Sequence, residues 1–258
     1  PGAIMGEDLP DLLTEIKRSE DMFRGATRYA RAAGINIAAG FEAPTSDPTL
    51  SDVRGRFLAR LRQFIERNPN ITHFALWQHE SGGCFGSTPP PAGTEARRLM
   101  ESRRDLFASL GTDRRVWEAV RYLEFADMAA KFLAEEAPRL KLVVVGWGGD
   151  RWMRFAELCL GFDKILPPGV VFTCHDNIDA SFGPNVSAAW GELPPERERW
   201  AMPWVEGDID ECWVRQPNVE SLGKLAPDAL ARGCQGLLTL QWRTRDVEEE
   251  TGYIARYA

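Results

Sequence analysis

Short apolar runs recur along the chain, and each ends in a polar or charged cluster. They are Ile35–Glu42, Ile71–Glu80, Lys141–Trp147, Val170–Asn177, Trp200–Asp208 and Gly236–Arg245, with tails reading GFE, WQHES, GWGGD, CHDN, PWVEGD and QWRTR. The runs are short and rich in Val, Ile, Phe and Trp, which predicts strands. Between them apolar positions recur at helical spacing. Leu12, Leu13, Ile16, Met22, Phe23 and Tyr29 predict an opening helix that Gly34 ends. Val53, Phe57, Leu61 and Phe64/Ile65 predict a helix near 51–68, closed by Pro69. A long helix is predicted over Asp113–Glu136, with shorter ones over about 152–160, 219–232 and 247–257. Thr94 and Thr112 read as N-caps. The longest irregular stretch, 80–93, holds four glycines and three consecutive prolines. Loops of that length often cover or build binding sites.

Strands alternating with helices imply a parallel sheet. No Gly-rich βα turn of the dinucleotide-binding kind appears, which disfavours a doubly wound sheet. The fold expected is an α/β domain of the (β/α)8 barrel type, in which strand carboxyl ends meet at one mouth that carries the active site. Six strands are recognisable, against eight in a full barrel. The opening helix is of the sort that follows a strand, so the visible strands are expected to be strands three to eight. Residues 1–258 then form a single barrel domain or the larger part of one. The chain opens at Pro1 without Met, and an additional N-terminal segment of the same protein is expected.

Net charge is −7 and the pI about 5.2. That acidity argues against nucleic acid or an anionic membrane as partner. No apolar stretch nears the roughly 20 residues a bilayer requires, and no basic, apolar leader opens the chain. A soluble protein is expected, cytoplasmic or exported after processing. Five cysteines without a CxxC spacing read as free thiols.

The strand tails carry the candidate chemistry. Glu80, beside Trp77 and opening a Gly-rich loop, suits a general acid whose carboxyl an apolar wall keeps protonated. Glu206 shares a strand parity with Trp200, Met202 and Trp204 and suits a nucleophile or a base for water. Asp176 serves as an auxiliary base or as a turn residue. Glu42 ends the first strand and ranks below these. Nine tryptophans are many for this length. Trp77, Trp147, Trp204 and Trp242 fall at strand ends, where aromatic faces stack on sugar C–H surfaces. His79, His175, Asp208 and Arg243 complete the expected substrate contacts. His73 starts its strand and reads as structural. No HExxH or HxH spacing and no GxSxG elbow occurs, so no metal or other cofactor is assigned.

With the first visible strand as the third, Glu80 falls on strand four and Glu206 on strand seven. The chain thereby resembles the TIM-barrel glycoside hydrolases that place acid and nucleophile on those strands, although they usually carry Asn-Glu where this chain has His79-Glu80. The triple Glu80, Asp176, Glu206 is also similar in order to the α-glucuronidase family. The resemblance implies a glycosidase that cleaves oligo- or polysaccharides. The alternatives are a metal-dependent sugar isomerase or hydrolase on the same barrel and a non-catalytic carbohydrate-binding barrel.

Overall fold

The computed structural model describes residues 9–79, 87–147, 155–175, 186–203 and 219–238, with backbone alone at 9–13 and 219–221. Six strands follow one another: β1 (Ala38–Glu42), β2 (His73–Trp77), β3 (Lys141–Trp147), β4 (Val171–His175), β5 (Arg199–Met202) and β6 (Gly236–Leu237). The helices are α1 (Leu9–Ala32), α2 (Ser51–Arg67), α3 (Glu95–Arg103), α4 (Asp113–Glu136), α5 (Phe155–Phe162) and α6 (Val219–Ala231). Short 3-10 turns occupy Arg104–Leu110 and Ala188–Glu192.

All five pairings are parallel, and the spatial order is β1-β2-β3-β4-β5-β6. A doubly wound sheet reverses its order at a switch point; here each strand lies beside its sequence neighbour, as in a barrel. The chain is an α/β fold of the TIM-barrel type, with six strands among the described residues.

Alternation along the strands builds two separate apolar layers. Phe74, Leu76, Leu142, Val144, Phe172, Cys174 and Ala201 join the helices in one large cluster. Ala75, Val143, Val145, Val171 and Met202, with Trp77 and Trp200 against them, form a second cluster on the face away from the helices. That second layer is the barrel interior. Runs buried on both faces explain why these strands read as continuous apolar stretches.

The sequence places α4 correctly, but its burial exceeds an amphipathic stripe. Trp117, Ala119, Val120, Tyr122, Leu123, Phe125 and Ala126 are all buried, because α2, α3 and the following 3-10 turn pack on the side that β3 leaves free. Thr94 caps α3, its Oγ1 accepting from Arg97 N–H at 3.1 Å. Thr112 holds the N-cap position of α4 without a side-chain bond. Cys159, Cys174 and Cys234 are buried. No described helix is long and apolar enough to cross a membrane. The expected helix over 247–257, the end of the last strand beyond Leu238, and Cys84 and Cys212 lie outside the described residues.

Candidate active site at the strand carboxyl ends

Register decides which side chains meet at the mouth. Glu42 pairs with Trp77, Trp147 with His175, and His175 with Met202. The ladder continues one step past the strands, where Ala43 N–H donates to Trp77 C=O and Gln78 N–H to Val145 C=O. Trp77 and Met202 belong to the interior layer, and parity carries Glu42, His79, Trp147 and His175 to the same face.

Two features stand out there. His79 Nε2 lies 3.7 Å from Glu42 Oε2. That is an ionic distance, longer than a hydrogen bond, so the two groups face each other without being locked together. Both are partly exposed, while His79 Nδ1 is buried with no hydrogen-bond partner among the described residues. Beside them runs an aromatic chain: Trp77 and Trp147 with ring centroids 5.9 Å apart, then Trp147 edge-on to His175 at 6.0 Å. His175 is fully buried.

Loops at the mouth are pinned from beneath. Glu118 and Arg121 on α4 form a buried ion pair. Arg121 Nη1 donates to Thr45 C=O in the loop after β1, and Ser87 Oγ, in the segment after β2, donates to Glu118 at 2.6 Å. Burial pulls the Arg121 guanidinium below its ordinary value, and the Glu118 carboxylate opposes that pull. The strand ends are tied as well. Tyr122 OH donates to Leu76 C=O at 2.6 Å and accepts from Val145 N–H at 3.1 Å, bridging β2 and β3 just below Trp77. Burial holds this phenol well above its usual range. On the helix side Gly146 has no room for a side chain: a Cβ would stand 1.9 Å from the Phe155 ring.

Of the residues expected from the sequence, Trp77, His79, Trp147 and His175 are brought together at the mouth. Glu80, Asp176, Glu206, Trp204, Asp208, Trp242 and Arg243 lie outside the described residues. Glu42, ranked low in the sequence, is the described carboxylate facing His79. Its partner is 37 positions away, and only the β1–β2 register reveals the pairing. His73 sits at the opposite, amino end of β2, as expected. It is buried with Nδ1 2.8 Å from Thr72 Oγ1 and packs against Trp200 at 5.1 Å. Among the described residues no group of three His, Cys, Asp or Glu side chains converges as metal ligands.

No family model matches the chain, and no curated protein matches it. Among solved structures it is similar to one described as a sugar phosphate isomerase/epimerase from Parabacteroides distasonis ATCC 8503. Identity is 12%, the TM-score 0.49, and the match covers 91% of this chain and 74% of the other. The comparison stands against the glycosidase expected from the sequence: the structure it finds is described as a different class of enzyme. The carboxylate described at the mouth, Glu42, faces the His79 imidazole, an arrangement suited to moving protons.

Proposed function

We infer that the chain is a sugar-processing barrel enzyme that isomerises or epimerises its substrate by proton transfer. The observation that carries this reading is the Glu42–His79 pair, set on adjacent strand ends beside the Trp77–Trp147 wall. Shifting a carbonyl along a sugar, or inverting a carbon next to one, requires a base that removes a proton from carbon. It also requires a donor for the neighbouring oxygen. Glu42 is the base: its carboxylate takes the proton from the carbon beside the carbonyl and returns it to the adjacent carbon; for an inversion, solvent water supplies the proton from the opposite face. His79 handles the oxygens, its imidazole passing a proton between carbonyl and hydroxyl. The two indoles stack on the sugar's C–H surface and exclude water from the reacting carbon. His175, buried behind Trp147, fixes the orientation of that indole.

Glu42 and His79 also offer one oxygen and one nitrogen donor, a set that suits a divalent ion. Such an ion would polarise the carbonyl oxygen. The test is a screen of aldose–ketose and epimer interconversion with purified protein, with and without chelator, followed by Glu42→Gln and His79→Asn. The expected result is turnover of at least one sugar and a loss of roughly 10²-fold or more in each variant. Full activity in both variants on a converted sugar would remove the assignment. Loss of turnover on chelation, restored by one divalent ion, would add the metal to the site.

A further inference from the structure

We propose that the groove between α1 and α2, over the outer face of β1, binds the phosphate group of a small molecule. A cavity of about 500 Å³ lies there, within the size range of small-molecule sites. Its charged lining is Arg24 on α1, Arg60 and Arg67 on α2, and one carboxylate, Glu20. Three arginines against one acid make a basic spot on a chain whose net charge is −7. Helical spacing gathers them. Arg60, Gln63 and Arg67 share one face of α2, and Glu20, Phe23 and Arg24 share one face of α1. The two faces meet where Arg67 lies 3.6 Å from Glu20.

The guanidiniums are placed but not used up. Arg60 Cζ stands 4.1 Å from the centroid of the Phe41 ring. Phe41 is itself held edge-on among Phe57, Phe64 and Phe74. That cation–π contact positions the guanidinium and leaves its in-plane N–H donors free for an anion. Arg24 and Arg67 each reach Glu20 at 3.6 Å, and Arg24 reaches Asp21 at 3.8 Å, all longer than a hydrogen bond. Among the described residues, then, none of the three side chains commits an N–H to a hydrogen bond. Exposed ion pairs of this kind hold weakly and give way to a better-matched anion. Phosphate is that anion: its oxygens accept the paired N–H groups of a guanidinium fork, which adds geometry to charge. Gln63 brings an amide donor to the same groove, and Phe23, 39% exposed, offers an apolar surface to the organic part of the ligand. The acidity of the whole chain disfavours an extended polyanion, so a small molecule is the occupant. The groove is separate from the mouth. Ala39 and Phe64, which line it, pack with the helix-side layer, whereas Glu42 faces the barrel interior.

Calorimetric titration of the 258-residue chain at fixed ionic strength tests this, with AMP, inorganic phosphate and, as the phosphate-free control, adenosine. The expected result is saturable binding of AMP with a Kd below about 1 mM, weaker binding of inorganic phosphate and none of adenosine. Equal affinity for AMP and inorganic phosphate would support the site with the free ion as its ligand. Arg60→Gln and Arg67→Gln should each weaken binding roughly 10-fold or more. Glu20→Gln removes the competing carboxylate and should tighten it, a gain that a misfolded variant could not give. Glu42→Gln should leave the affinity unchanged. The proposal is overturned if neither AMP nor phosphate binds saturably, if adenosine binds as well as AMP, or if both arginine variants bind like the wild type. Loss of binding in Glu42→Gln would overturn it too, by putting the ligand at the mouth. None of these readouts depends on turnover, so failure of the isomerase reading would leave them intact.

Discussion

Replacing Arg121 by Met probes the device that holds the mouth. The Glu118 and Arg121 side chains are only 5% and 3% exposed, so solvent screens neither charge. Removing the guanidinium leaves Glu118 buried with Ser87 Oγ, at 2.6 Å, as its remaining donor among the described residues, and it strips Thr45 C=O of its Nη1 donor. Breaking a buried pair on one side costs about 3–5 kcal/mol. For a chain of this size that is a Tm drop of roughly 6–20 °C. Adding Glu118→Gln removes the stranded charge and keeps an acceptor for Ser87, so the double variant should recover at least about 2 kcal/mol of the loss, a coupling expected only between partners in one network. Urea unfolding followed by tryptophan fluorescence measures both. A loss below about 1 kcal/mol for Arg121→Met, or strict additivity in the double variant, would refute the reasoning.

Tyr122→Phe removes the hydroxyl shared by Leu76 C=O and Val145 N–H while keeping the ring. A loss of about 1–3 kcal/mol is expected in chemical denaturation, and a change within 0.5 kcal/mol of zero would show that the bridge does not hold β2 to β3. His73 has its pKa held below the ordinary 6.5, first by burial and then by Lys141, with Glu198 opposing. The unfolded chain therefore binds the proton more readily. The stability contributed is complete above about pH 6.5 and is lost as pH falls toward the depressed folded value. Melts between pH 7 and pH 5 should show a steeper acid-side decline for the wild type than for His73→Gln; equal slopes would deny His73 that role. Gly146→Ala should displace Phe155 and destabilise by more than a surface substitution would, because the ring stands where the methyl must go. A normal Tm would mean that α5 moves aside freely.

The fold was legible because its physics is local. Strands buried on both faces have to be apolar along their whole length, and Lys141–Trp147 shows that in the bare sequence. The same regularity predicts six strands, and the described strands follow those runs. Tyr122 was hidden because a tyrosine in the apolar stripe of a long helix reads as packing. Glu118 and Arg121 were hidden because charges three apart on a helix ordinarily mark its solvent face; here neighbouring helices and loops cover that face. Glu42 ranks low in the sequence because a carboxylate after GF looks like a strand ending, and the imidazole it faces comes from another strand. Glu80 and Glu206, expected from their places at strand ends beside tryptophans, lie outside the described residues.

Solvent exchange at carbon tests the central claim most directly. Sugars that the protein converts are incubated with it in D2O, and loss of the proton beside the carbonyl is followed by ¹H NMR. Wild-type protein should replace that proton with deuterium at least as fast as it turns substrate over, and Glu42→Gln should slow the replacement roughly 10²-fold or more. Conversion without deuterium entering the carbon, or undiminished exchange in Glu42→Gln, would contradict proton transfer by the Glu42–His79 pair.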